Sequence, residues 1–154
     1  MPKTSRSRVI AADREAVWQV VADPHHLTRW WPKVSRVEDV QESTGTMGTR
    51  WTEVLKTASG KGVRAEFAFR DAREPEELSW EQKIEDTPFA KVFTSSVTTV
   101  GLEDSGAGTQ VTIEIDQQLR GMSRLGAFML KRATGAQLEE ALDGLERAMG
   151  KAAP

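Results

Sequence analysis

The chain of 154 residues carries 21 Lys or Arg against 23 Asp or Glu, for a formal charge of −2. That length suits one domain with a sizeable core, and charges of both signs spread along it exclude a basic nucleic-acid stripe and a solvating acidic tail. With no cysteine there is no disulfide, thiolate metal site or cysteine nucleophile, and a reducing, cytoplasmic compartment is the default expectation.

The apolar stretch within residues 1–12 is too short for a signal peptide or a membrane span, so no membrane insertion is expected. Residues 5–12, SRSRVIAA, read as a short strand. Asp13 can then cap a helix whose Val17, Val20 and Val21 fall on one face. Asp23 and Pro24 restart a second helix as cap and first helical residue, with Leu27, Trp30 and Trp31 at the same spacing. Pro32 disfavours a helical Trp31, so this helix ends there.

From Val34 to about Gly121 the period changes to two, broken by turn clusters at 42–48, 58–62, 73–77, 85–88 and 103–109. Six strands fit. Trp51 and Leu55 share a face, and Val63, Ala65, Phe67 and Phe69 alternate with Arg64, Glu66 and Arg70. The alternation continues as Leu78, Trp80, Gln82, Ile84, then Phe93, Ser95, Val97, and then Val111, Ile113, Ile115, Gln117, Leu119. A long antiparallel meander with one apolar face accounts for this. A last helix, roughly 123–150, places Phe128, Gly135, Leu138, Leu142, Leu145 and Met149 on a stripe that must cover the sheet. Neither an internal repeat nor a linker interrupts the pattern, so residues 1–154 are expected to form a single domain.

Strand, two short helices, six meandering strands and a long terminal helix is the order of the α+β helix-grip fold. The stretch AADREAVWQVVADPHHLTRWWPKV (11–34) resembles the opening of the START-like superfamily called SRPBCC, and within it the polyketide cyclase/dehydrase and lipid-transport branch. Gly45 and Gly48, the step from Leu119 to Gly121, and the ladder of Leu138, Leu142 and Leu145 extend the resemblance over the whole chain. It implies a curved antiparallel sheet of about seven strands wrapped around the long helix, with an elongated cavity for lipids, sterols, polyketides or other apolar molecules.

Chemistry-bearing residues are few. His25 and His26 are adjacent, so they do not share the helical face on which a pair chelates zinc; no metal and no cofactor are expected. They are either solvated or placed at a cavity mouth as acid or base. Trp30 and Trp31 cannot both point fully inward, and each is either core or cavity wall. Glu53 shares the parity of Trp51 and Leu55. It therefore either faces an apolar cavity with a raised pKa, as a weak candidate acid or base, or escapes through a twist to solvent or an arginine. Gln82, Ser95 and Gln117 fall in the inward set, where they satisfy one another or anchor a ligand. Gly135 needs a reason on the helix stripe, either a close approach to a strand or space for a ligand. Lys131 and Arg132 border that stripe, and the acidic side formed by Glu139, Glu140, Asp143 and Glu146 suits solvent better than an anionic membrane.

The resulting expectation is a domain that binds a hydrophobic or amphipathic small molecule between sheet and last helix. Its apolar wall would be Trp31, Trp51, Phe67, Phe69, Trp80, Phe93, Ile115, Leu125 and Phe128, with Glu53, Gln82, Ser95 and Gln117 as polar anchors. A polyketide cyclase or aromatase using Glu53 or a histidine is the enzyme alternative, weakened by the absence of tyrosine. A co-chaperone-like interaction module is the third reading, and it requires a filled core and an exposed apolar patch. Nothing in the pattern sets an oligomeric state.

Overall fold

The computed structural model describes residues 3–43, 45–57, 60, 62–121 and 124–152. Thr44, Ala58, Ser59 and Lys61, which belong to two of the expected turns, and Ser123 at the expected helix start lie outside the described residues. The elements are β1 (Lys3–Ile10), α1 (Arg14–Val21), a 3-10 turn (Pro24–His26), α2 (Leu27–Trp30), β2 (Val34–Ser43) and β3 (Gly45–Leu55). They continue with β4 (Val63–Arg73), β5 (Glu77–Gln82), a second 3-10 turn (Pro88–Lys91), β6 (Phe93–Ser105), β7 (Gly108–Leu119) and α3 (Arg124–Ala152).

Local chemistry explains the first turns of the chain. The Asp13 carboxylate accepts the Ala16 N–H at 2.8 Å, which satisfies one of the orphan donors of α1. Asp23 does the same for His25 N at 3.0 Å. The second helix is shorter than its spacing predicts: the segment from Pro24 is a 3-10 turn followed by one α-turn, and Trp31 is extended at φ −83°, ψ 131°. Pro32 imposes that backbone on its predecessor.

The seven strands form one sheet in the order β1-β7-β6-β5-β4-β3-β2, with every neighbouring pair antiparallel. The sheet curves, and α3 crosses its inner side in the expected α+β helix-grip arrangement. Leu138, Leu142, Leu145 and Met149 are buried in one hydrophobic core that also holds Ile10, Val111 and Ile113 of the sheet and Val17, Trp18 and Val21 of α1. Arg8 on β1 adds a polar clasp to this packing, donating to Glu139 at 2.9 Å and to Asp143 on α3.

Two expectations are corrected. On β6 the buried residues are Ser96, Thr98, Val100 and Leu102, not Ser95 and Val97. The cause is a register shift: Phe93 faces Leu119, yet Ser95 faces Gln118 and Ser96 faces Gln117. One extra residue reverses the faces of everything after it. Phe93 itself stays half-buried at the strand's start.

On α3, Leu125 and Phe128 do not join the apolar wall; they are 69% and 62% exposed. No residue of 124–133 is buried, because α3 packs against β1, β7 and α2 only through its later turns. Helical phase contributes too. At 3.6 residues per turn Phe128 is rotated about 80° from Leu138, and Met129 about 180°.

Candidate functional site

A cavity of about 270 Å³ lies between the sheet and α3. Its apolar walls include Trp31, Phe67, Trp80 and Ile115, and its polar groups are Glu53, Gln82, Ser96, Thr98, Gln117 and Gln137. Exposed Lys33 and Lys56 line it where β2 begins and β3 ends, and Phe89 of the second 3-10 turn lines it as well. A further groove of about 620 Å³ is lined mainly by outward residues such as Arg50, Glu66, Glu81 and Lys83, together with Ser95, and shares Phe67 and Gln82 with the inner cavity. Its charged lining suits water, and the inner cavity is the candidate site.

An aromatic cluster fixes the wall. Trp31 and Trp80 meet edge to face with centroids 5.4 Å apart, and Trp30 packs on Trp31 at 5.3 Å. Trp51 sits behind them, 4.7 Å from Phe69 and 5.9 Å from Phe67. Such contacts add about 0.5–1.5 kcal/mol each beyond area burial, and they hold the rings rigid. Both tryptophans turn inward, against the expectation that only one could: Trp30 is 2% and Trp31 9% exposed, and both belong to the core cluster, because Trp31 has left the helix for extended backbone. Of the two, Trp31 also lines the cavity.

Glu53 is 2% exposed and makes no ion pair among the described residues. One carboxylate oxygen accepts the Trp51 indole N–H at 3.0 Å. Burial pushes its pKa up to about 7, with the Trp51 hydrogen bond pulling weakly the other way. Near neutral pH the group is divided between acid and carboxylate. Gln82 also lines the cavity, and its Nε2 is buried without a hydrogen-bond partner. Gln117 is better supported, because Thr134 of α3 donates to its Oε1 at 3.5 Å.

Several residues singled out in the sequence converge on the cavity: Trp31, Glu53, Phe67, Trp80, Gln82, Ile115 and Gln117. Trp51 and Phe69 are buried in the cluster behind it. Phe93 does not line the cavity, Ser95 lines the outer groove, and Leu125 and Phe128 face solvent. Ser96, Thr98 and Gln137 were missed. For Ser96 and Thr98 the signal was present, since counting back by two from Val100 and Leu102 reaches both.

The histidines stand apart. His25 Nδ1 lies 2.8 Å from Asp23, and His26 Nδ1 lies 3.0 Å from an Arg29 guanidinium nitrogen. Burial pushes the Asp23 carboxyl up, but the backbone and ring hydrogen bonds from His25 outweigh it and hold the group below its ordinary value. Neither ring lines the cavity, and among the described residues no group of acidic and histidine side chains could hold a metal ion.

A family model described as "Polyketide cyclase / dehydrase and lipid transport" matches residues 1–150. No curated protein sequence matches the chain significantly. Among solved structures, a START superfamily protein from Mycobacterium smegmatis is similar at TM-score 0.78 and 16% identity, over 97% of each chain. A Thermus thermophilus protein is similar at TM-score 0.76 and 23% identity, covering 99% of this chain and 100% of that one. The di-domain ARO/CYC protein StfQ, from the steffimycin biosynthetic pathway, is similar at TM-score 0.81 and 12% identity. That match covers 99% of this chain and 52% of the StfQ chain, so this chain spans about half of it.

Proposed function

Because this chain belongs to the polyketide cyclase/dehydrase and lipid transport family, we propose that its inner cavity binds a small, uncharged, mainly apolar molecule bearing a hydrogen-bond acceptor such as a ketone. Trp31, Phe67, Trp80 and Ile115 would form the wall, with Glu53, Gln82 and Gln117 as anchors. The observation that carries this reading is the cavity-lining Gln82 amide, whose Nε2 is buried without a partner. A buried unsatisfied donor costs about 1–3 kcal/mol, and rotation of the amide toward a ligand oxygen recovers that cost. Size narrows the ligand further. A dry cavity of about 150 Å³ accepts benzene, so one of about 270 Å³ suits one or two rings. The buried end of the occupant would be neutral, since the cations that line the cavity, Lys33 and Lys56, are exposed and a charge held among the aromatic walls would lack a cation to offset its desolvation. The cysteine-free composition supports a cytoplasmic location, and no helix among the described residues is long and apolar enough to cross a membrane.

Acetonaphthone, a neutral two-ring ketone, tests the reading through quenching of Trp31 and Trp80. It should bind, while the naphthoate anion should not compete. Gln82→Met is expected to weaken acetonaphthone by about tenfold while stabilising the empty protein by about 1 kcal/mol, because the unpaired amide is gone. Unchanged affinity in Gln82→Met, or no binding to the unmodified protein, contradicts the proposal.

A second reading, cyclisation or dehydration of a polyketide-like substrate, is favoured by Glu53. A carboxyl at about 7 can both take and give a proton at neutral pH. Under this reading Glu53→Gln abolishes turnover and leaves substrate affinity within a few-fold. The co-chaperone-like reading is disfavoured, because it requires a filled core.

A further inference from the structure

We propose that the amino-terminal third of α3 is a docking face for membranes rich in anionic lipid headgroups. Leu125, Phe128 and Met129 are 69%, 62% and 61% exposed, which makes them the most exposed large apolar side chains among the described residues. None of the three lines the cavity, so this is no lid folded over it. Relative to Leu138, Phe128 points about 80°, Leu125 about 140° and Met129 about 180° away at 100° per residue.

Charge identifies the partner. Arg120, Arg124, Lys131 and Arg132 surround the three apolar residues in sequence, and no Asp or Glu occurs between Asp116 and Glu139. Among the described residues Arg124, Lys131 and Arg132 form no ion pair. A short helical face with Leu, Phe and Met flanked by unpaired cations is the composition that settles at an acidic lipid interface. A second copy of the chain is the rival occupant, since the remaining outer face of α3 is acidic. Three of its four acids are already engaged: Arg6 pairs with Glu139, and Arg8 pairs with Glu139, Asp143 and Glu146. Among the described residues only Glu140 on that face forms no ion pair, a single acid against the three unpaired cations Arg124, Lys131 and Arg132.

Position adds a purpose. The Arg120 guanidinium donates to Ala90 O at 3.0 Å, tying the approach to α3 to the 3-10 turn whose Phe89 lines the cavity. Gln137, further along the same helix, lines it too. A protein docked through residues 124–132 would hold this end of the cavity near the lipid surface, where apolar ligands partition.

Cosedimentation with vesicles tests docking without any cavity ligand, so it stands or falls apart from the binding proposal. The protein should pellet with vesicles of phosphatidylglycerol and phosphatidylcholine in equal parts, and stay in solution with phosphatidylcholine alone or in high salt. The double variants Phe128→Ser/Met129→Ser and Arg124→Glu/Lys131→Glu should each weaken pelleting by about tenfold or more. Because these side chains are exposed, both variants should keep the parent's circular dichroism and melting temperature. Absence of pelleting with anionic vesicles overturns the proposal. So does sedimentation velocity showing a dimer that the same substitutions convert to monomer, which would make the face a contact between copies.

Discussion

Glu53→Gln is expected to make the protein more stable by about 3 kcal/mol well above neutral pH, with the gain shrinking to nothing as the pH falls through the acid range. The carboxyl has an ordinary value of 4.5 and is pushed up to about 7 by burial. Between those two values the folded chain holds a proton that the unfolded chain has released. Stability therefore falls as pH rises from 4.5 to 7, and the deficit stays constant above that window. Below 4.5 both states are protonated and the group contributes nothing. Glutamine keeps an oxygen for the Trp51 indole N–H and cannot ionise, so it removes the deficit. Urea denaturation of both proteins across this pH range measures the difference directly. A gain that does not change with pH would mean that Glu53 reaches water or a cation.

Gly144→Ala is expected to cost about 3 kcal/mol, while Gly135→Ala should be neutral or stabilising by up to about 1 kcal/mol. A Cβ at Gly144 would lie 2.3 Å from Trp30 O and 2.9 Å from Trp30 Cα. These are backbone atoms of α2, and they cannot yield unless the two helices separate. At Gly135 the added carbon meets the Arg6 guanidinium at 2.5 Å, the far end of a flexible side chain that can swing away. The Gly144 clash also bears on the cavity, because displacing Trp30 displaces the adjoining Trp31. Denaturation midpoints for the two variants decide the matter: a Gly144→Ala protein as stable as Gly135→Ala would refute the tight α2–α3 contact.

These residues show what was legible in sequence. Asp13, Asp23-Pro24 and Pro32 announced the caps and the helix stop, because capping and proline chemistry act within a few residues. Alternation on β3, β4, β5 and β7 placed Glu53, Phe67, Trp80, Gln82 and Gln117 on the inner face, since the pleat converts parity into direction. The same rule failed on β6, where a bulge between Phe93 and Ser95 inserts one residue without any glycine or proline to mark it. On α3 the periodicity revealed a stripe but not where the sheet beneath it ends, so Leu125 and Phe128 were assigned to a wall that does not reach them. Gly135 attracted attention for lying on the buried stripe. The closer approach is at Gly144, a consequence of how α3 crosses α2, which no local pattern records.

The central claim is that the inner cavity, not the charged outer groove, receives an apolar ligand. Methyl-labelled protein with unlabelled acetonaphthone tests it by nuclear Overhauser contacts. The account predicts contacts from the probe to the Ile115 and Thr98 methyls, which line the cavity. Contacts confined to Thr52, Ala68 and Thr94 of the outer groove would contradict it.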